Sequence, residues 1–233
     1  MLVELEPLRQ PVGNRLMEAG PDESAHAHLC HDRPVTDPGT TAAIVAGGQA
    51  SRFGGQDKSR LIVEGRSIIF RQVDVLQRVA AEVVVIGADP TRFADLGLAS
   101  YPDEQPGLGA MGGVCTALEV ARGDRVIVVA CDLPFLDEGL LRRLATLAAG
   151  DVDGAWVHGR RGVEPLLACY RRMARDAIRR EIAAGRLQLA ALGSVLRMAE
   201  ISEPELRRYG SPERLLANLN SPADYARVQY RPS

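Results

Sequence analysis

Three short β-branched runs, Thr41 to Ala46 (TAAIVA), Ala81 to Gly87 (AEVVVIG) and Asp124 to Asp132 (DRVIVVACD), are separated by amphipathic stretches of helical period. Those stretches are SIIFRQVDVLQRVA from Ser67, MGGVCTALEVA from Met111 and DEGLLRRLATLAA from Asp137. Apolar runs without polar alternation must be buried on both faces, and only crossover helices cover a sheet in that way. The alternation therefore predicts an α/β fold built of crossover units around a buried, mostly parallel central sheet. Ligands of such sheets sit beyond the carboxyl ends of the strands, so the loops after Val45, Ile86 and Ala130 are expected to share one edge.

The flanks are less regular. Residues 1–40 mix Pro, Gly, Asp and His without a sustained period and read as a flexible extension with one short helix around Asn14 to Ala19, leaving 41–233 as the domain. Within the extension His26, His28, Cys30 and His31 crowd together, but their spacing matches no zinc pattern and no distant cysteine pair completes it. After Gly150, DGAWVH and VEPLLACYRR read as strands, Met173 to Ala184 as a basic helix, and SVLRMAEI follows. Periodicity leaves open whether this part extends the sheet or forms a small antiparallel lid.

The first expected strand runs into AGGQASRFGGQDK, residues 46–58. Gly47 and Gly48 permit close backbone approach, and successive amides in such a turn surround anionic oxygens. Arg52 adds a fork of donors and Lys58 a compact charge, a pairing suited to polyphosphate. The spacing is neither GxxxxGK[ST] nor GxGxxG, and a purely structural turn is the competing reading. VIVVACDLP, residues 126–134, ends a strand at Asp132, where a carboxylate can hold magnesium against phosphate oxygens or cap the next helix. Cys131 is expected to pack as a small hydrophobe, with a nucleophilic role as the sharper alternative. Between them, residues 101–113 form a Pro- and Gly-rich loop in which Asp103 or backbone amides can meet a base and ribose, or which is a plain crossover connection.

Composition removes several function classes. The formal charge is −2 and aromatics make up 4% of the 233 residues, so a nucleic-acid polymer has neither a global field nor stacking platforms to bind. Cys30, Cys115, Cys131 and Cys169 lack CxxC spacing, which points to a reducing, cytoplasmic setting. No apolar run approaches 18 residues, so no membrane span is expected. Arg171, Arg172, Arg175, Arg179 and Arg180 read as a solvated helix face, or as a guide for an anionic acceptor or recipient protein.

These segments carry a resemblance. AGGQASRFGGQDK is similar to the AGGxSxR[MF]GxDK signature of nucleotidyltransferases acting on small phosphorylated acceptors, with one extra glycine. CDLPF at 131–135 resembles their metal-binding CDxP segment, and PGLGAMGG at 106–113 their middle nucleotide loop. With GVEPLLACY at 162–170 and NLNSPADY at 218–225, the pattern is most similar to the molybdenum cofactor guanylyltransferases over about residues 41–228. The resemblance implies a three-layer α/β, Rossmann-like nucleotidyltransferase fold with a mostly parallel central sheet, and magnesium-dependent attack by the terminal phosphate of molybdopterin on the α-phosphate of GTP. It implies that Val45, Ala46, Gly47 and Gly48 line the nucleotide site, that Arg52 and Lys58 face the triphosphate and act in catalysis, and that Asp103 lies near guanosine. It further implies that Asp132 binds Mg2+ and that Asn218 and Asn220 stand on the pterin side, against a plainer role as turn residues before a terminal helix. Implied partners beyond GTP and molybdopterin are molybdenum insertion proteins or recipient molybdoenzymes, met transiently by a monomer. Two departures stand out: Gly65-Arg66-Ser67 where members carry G-[KR]-P, and Glu164-Pro165 where some carry His-Pro. Cytidylyl transfer to the same pterin, transfer to a sugar phosphate, and a nucleotide-binding regulator without turnover are the alternatives.

Overall fold

The computed structural model describes residues 36–47, 52–53, 56–87, 89–103 and 107–229, with backbone alone at Arg52, Phe53, Gln56, Pro90 and Gln229. The Asn14 to Ala19 helix and the His26 to His31 group lie outside these residues.

Seven strands form the central sheet: β1 Asp37–Val45, β2 Ala80–Ile86, β3 Ala99–Tyr101, β4 Arg125–Ala130, β5 Gly154–Gly159, β6 Gly162–Arg171 and β7 Met198–Ser202. Their order is β7-β5-β6-β4-β1-β2-β3. β1 pairs in parallel with both β2 and β4, β2 with β3, and β5 with β7, whereas β6 is antiparallel to β4 and β5. One strand thus runs against the other six, and the region after Gly150 extends the main sheet. Pro165 is tolerated inside β6 because it falls at the irregularity between Glu164 and Ala168, where no ladder hydrogen bond is required of it.

Burial on both faces explains the strand sequences. Ala42 and Ile44 of β1 pack with helices α1 (Ile68–Val79) and α3 (Glu138–Leu147). Ala43 and Val45 pack with α2 (Gly109–Val120) and α4 (Arg175–Ala183) on the opposite face. α1 presents Ile69, Val73, Leu76 and Val79 as its apolar stripe, and α3 presents Leu140, Leu141, Leu144 and Ala145. The result is the buried, mostly parallel sheet expected from the alternation and the three-layer, Rossmann-like architecture implied by the resemblance.

Several boundaries move. β1 begins at Asp37 rather than Thr41, because the Asp37 carboxylate accepts from Gly39 N at 2.9 Å and Thr40 Oγ1 at 2.9 Å and pairs with Arg125 of β4. The basic stretch opens with a 3-10 turn, Arg172–Ala174, before α4. β3 is not among the expected strands, and its last residue, Tyr101, begins the stretch read as a loop. Helix α1 follows a two-residue hairpin whose ribbon pairs Val63 with Arg66 and Ile62 with Ser67; Glu64 (φ 51°) and Gly65 (φ 79°) form its turn. Ser67 occupies the cap position of α1 without a side-chain capping bond, and its buried hydroxyl has no partner.

A third, smaller apolar cluster joins Leu61, Val63 and Ile68 to Phe135 and Leu219. It ties the segment after Lys58, the start of α1, the loop after β4 and the C-terminal segment into one body. Helix α5, Pro222–Gln229, closes the chain. Pro222 takes its first position, and Ser221 and Asp224 bond reciprocally, Asp224 N to Ser221 Oγ at 3.2 Å and Ser221 Oγ to Asp224 Oδ2 at 2.7 Å.

Candidate active site at the carboxyl edge of the sheet

The register places Val45 beside both Ile86 and Ala130, so the loops after β1, β2 and β4 emerge together. Ala46 N donates to Ile86 O at 2.8 Å, Gly87 N to Tyr101 O at 2.8 Å, and Cys131 N to Val45 O at 3.1 Å. Each strand end is thereby tied to its neighbour one residue beyond the ladder. The Val45 side chain is buried in the core under α2, so its contribution to the edge is through backbone.

Gly47 and Gly87 touch here. A β-carbon on Gly47 would meet Asp103 Oδ2 at 2.7 Å and Gly87 Cα at 3.1 Å, and one on Gly87 (φ 78°) would meet Gly47 Cα at 2.6 Å. Only glycine allows this approach. Asp103 lies against both glycines, and its Oδ1 is buried with no hydrogen-bond partner. Burial alone raises its pKa above the ordinary carboxylate value. An unsatisfied buried acceptor at the mouth of three strands is a place for a ligand's N–H or O–H.

Lys58 opens the 3-10 turn Lys58–Arg60 and is 6% exposed. Its Nζ donates to Asn220 Oδ1 at 3.1 Å. Asp57 caps the turn, its Oδ1 accepting from Ser59 N at 3.0 Å and Ser59 Oγ at 2.7 Å. Asp132 follows β4; burial raises its pKa, and the charge of Lys58 opposes that shift. Leu219 N donates to Asp132 O at 3.3 Å. Fully buried Leu219 therefore anchors the C-terminal segment while its neighbours Asn218 and Asn220 line the cleft. Lys58, Asp132 and Asn220, separated by long stretches of chain, meet at one point. The capping alternative for Asp132 does not hold, because Asp137 caps α3 by accepting from Leu140 N at 2.8 Å. The Cys131 thiol is pushed up to about 12, chiefly by burial, which leaves no thiolate for a nucleophilic role. It packs against the core as a small hydrophobe.

Gly48 lies outside the described residues. Arg52 is described in backbone only, as part of a two-residue ribbon, Arg52–Phe53 against Gln56–Asp57.

Three residues outside the sequence-derived set shape the edge. Gln72 of α1, 1% exposed, donates through Nε2 to Ala130 O at 2.7 Å and Leu133 O at 2.9 Å, holding the turn that carries Asp132. A polar residue inside the apolar stripe of α1 is the sequence signal for it. Glu164 of β6 lies in the cleft wall with Asn218 and Asn220; burial raises its pKa, the charge of Arg161 opposes this, and the charge of Asp132 adds to the rise. Arg92 hydrogen-bonds both Asp57 and Ala46 O, a long-range contact with no local signal.

Two desolvated carboxylates, Asp132 and Glu164, fit a small hard cation, which needs oxygen ligands and repays their burial. Among the described residues no three His, Cys, Asp or Glu side chains gather, so water and substrate phosphate would complete the shell, as is usual for magnesium. The cleft beside them has a volume of about 900 Å³, and Arg160, Arg161, Arg214 and Arg227 line it. None of Arg171, Arg172, Arg175, Arg179 and Arg180 does so. Arg171 pairs with Asp124, Arg175 with Asp176 and Arg179 with Glu119, which favours the surface reading of that segment. No helix among the described residues is long and apolar enough to cross a membrane.

The chain is similar to known proteins in sequence and in fold. The family model described as a MobA-like NTP transferase domain matches residues 42–200. A probable molybdenum cofactor guanylyltransferase of Chloroflexus aggregans is 35% identical over 192 residues, 80% of this chain and 91% of that protein. One from Carboxydothermus hydrogenoformans is 32% identical, covering 81% and 94%. The crystal structure of molybdopterin-guanine dinucleotide biosynthesis protein A from Archaeoglobus fulgidus superposes with a TM-score of 0.68 at 22% identity, covering 81% of this chain and 96% of that one, which supports the fold. The chain belongs to the MobA-like NTP transferase family.

Proposed function

We propose that the protein transfers GMP from GTP to the terminal phosphate of molybdopterin or its molybdenum-loaded form, releasing pyrophosphate and leaving a guanine dinucleotide cofactor. The convergence of Lys58, Asp132 and Asn220 carries this reading. It brings the stem of a glycine-rich loop, a strand-end carboxylate and an acceptor-side segment together. Family membership and the curated relatives support group transfer of this kind.

An oxygen of the acceptor phosphate attacks the α-phosphorus of GTP, the bond from that phosphorus to the β-phosphate bridge breaks, and pyrophosphate leaves with the electron pair. The acceptor is already ionised at neutral pH, so no general base is needed. Lys58, with Arg52 from the same loop, faces the triphosphate and stabilises the charge that builds on the leaving group. Asp132, with Glu164 as the second carboxylate, would hold magnesium, which would supply neutralisation of phosphate charge and alignment of the displacement. Gly47 keeps the backbone low enough for the nucleotide to approach Asp103. The free oxygen of Asp103 accepts from the base: guanine presents N1–H and N2–H side by side, whereas cytosine presents a single amino group beside two acceptors. The acceptor cleft is lined by arginines and carboxylates together; Arg160, Arg214 and Arg227 pair with Glu203, Glu64 and Asp224, and Arg161 is the cation of its wall offered to an anionic pterin.

The test offers GTP and CTP in parallel, with magnesium and molybdenum-loaded pterin, to the wild type and Asp103→Asn, and identifies the dinucleotide formed. Guanine dinucleotide from the wild type, with a weakened preference for GTP in Asp103→Asn, is expected. Exclusive use of CTP would overturn the guanylyl assignment. Turnover of a sugar phosphate with neither pterin product would overturn the acceptor.

A further inference from the structure

Lys58 reaches the cleft from a turn that two arginines fasten in opposite directions. From the pair of 3-10 turns that make up Pro90–Leu96, Arg92 sends Nε to Asp57 Oδ2 at 2.6 Å, Nη2 to Asp57 Oδ1 at 2.6 Å and Nη1 to Ala46 O at 3.2 Å. From the Lys58 turn, Arg60 sends Nη1 and Nη2 to Asp95 at 2.6 Å each, and Nη2 to Arg92 O at 2.9 Å. Both guanidinium groups lie over the ring of fully buried Phe93, at 4.7 Å for Arg92 and 5.2 Å for Arg60. Ala46 is where the chain enters the glycine-rich loop and Asp57 is where it leaves. One planar, five-donor group therefore joins the two stems of the loop, and the carboxylate it grips also caps the turn that begins with Lys58. Neither arginine lines the acceptor cleft.

We propose that Arg92 is a positioning residue for nucleotidyl transfer: by fixing Ala46 and Asp57 together it closes the base of the glycine-rich loop and sets the Lys58 ammonium beside Asn220 and Asp132. This rests on the reading of Lys58 as a contact to the triphosphate. The Arg92–Asp57 pair is about three-quarters shielded on both sides, with side-chain exposures of 23% and 23%, so its geometry is better fixed than that of the Arg60–Asp95 pair at 31% and 49%. A reacting group displaced by about 1 Å loses about a hundredfold in rate. Arg60 and Asp95 buttress the same turns from the solvent side, and their loss matters less.

The experiment measures pyrophosphate release, per folded molecule, for Arg92→Ala, Arg92→Lys and Asp57→Asn, with Lys58→Ala as reference and with guanidinium chloride added back at low concentration. Arg92→Ala is expected to lower kcat by about 30- to 100-fold while KM for GTP moves by less than about threefold. Arg92→Lys recovers little, because an ammonium cannot grip both Asp57 oxygens and Ala46 O at once. Added guanidinium revives Arg92→Ala and leaves Lys58→Ala inactive. Asp57→Asn combined with Arg92→Ala costs no more than the larger single change, since both break one contact. A role confined to folding would lower the melting temperature without a kcat deficit in the molecules that remain folded, and without rescue. A kcat within about threefold of wild type in Arg92→Ala, with Lys58→Ala inactive, overturns the inference and leaves the reading of Lys58 standing. Full activity in Lys58→Ala overturns both.

Discussion

Gln72→Met tests how the carboxylate-bearing turn is held. Methionine keeps the length and unbranched shape of glutamine, so the buried volume barely changes and the amide chemistry is the variable. Nε2 of Gln72 bonds Ala130 O at 2.7 Å and Leu133 O at 2.9 Å, the carbonyls on either side of Cys131 and Asp132. Ala130 O retains a long bond from Leu133 N at 3.4 Å, so its loss is about 1 kcal/mol, whereas Leu133 O loses its buried partner at about 2 kcal/mol. Against this, the amide Oε1 of Gln72 is itself buried without a partner, and removing it returns about 1–2 kcal/mol. The balance is a destabilisation of about 1–2 kcal/mol, or about 2–8 °C in Tm for a domain of this size. The effect on turnover should be larger than that on stability, because the turn freed is the one that aims Asp132. Urea unfolding gives the first quantity, and pyrophosphate release well below Tm gives the second. An unchanged urea midpoint together with unchanged kcat would refute the assignment of both bonds. A lowered midpoint with wild-type kcat would show that Gln72 serves the core and leaves Asp132 indifferent.

Two further substitutions separate stability from chemistry. A carboxyl whose folded-state pKa lies above its unfolded value costs stability as pH rises through the ordinary carboxylate range, and the cost stays in place above the folded value. Asp132 is such a group because burial outweighs the charge of Lys58. Asp132→Asn should therefore raise the Tm of the metal-free protein at pH 7–8, show no advantage near pH 3, lose the stabilisation that magnesium gives the wild type, and lower turnover by about 10² or more; a lower Tm at pH 8 would contradict the burial argument. Ser67→Pro restores the residue common in the family at a cap position with φ −68°, in a non-hydrogen-bonded pair of the ribbon, and deletes a buried hydroxyl without a partner. It should add about 1 kcal/mol, or about 2–4 °C in a thermal melt, with activity unchanged; destabilisation would mean that Ser67 N–H has a role in the native state.

What the sequence exposes and what it hides follow from the range of the interactions. β1, β2 and β4 are legible because burial on both faces demands uninterrupted apolar runs, and Ala42 to Val45 divide between the two layers of the core. β3 escapes that logic: three residues at a sheet edge, paired on one side with Val84, Val85 and Ile86, carry too little pattern to register. Gly47 and Asp132 stand out for a related reason, since close backbone approach and strand-end placement restrict the residue types that fit, whereas Asn220 stands out only through the family resemblance. Arg92 meets Asp57 across 35 positions and Ala46 across 46, and nothing in the stretch DPTRFADLG distinguishes that arginine from a solvated one.

The same distinction bears on electrostatics. Asp103, Asp132 and Glu164 each look like an ordinary surface carboxylate in sequence, yet the fold desolvates all three at one edge and raises the pKa of each. Lys58 opposes the shift at Asp132 and Arg161 that at Glu164, while no charge offsets the burial of Asp103. On the proposed reading, a hard cation at Asp132 and Glu164 and hydrogen-bond donors at Asp103 would offset this burial, and a magnesium nucleotide with a guanine base would bring both.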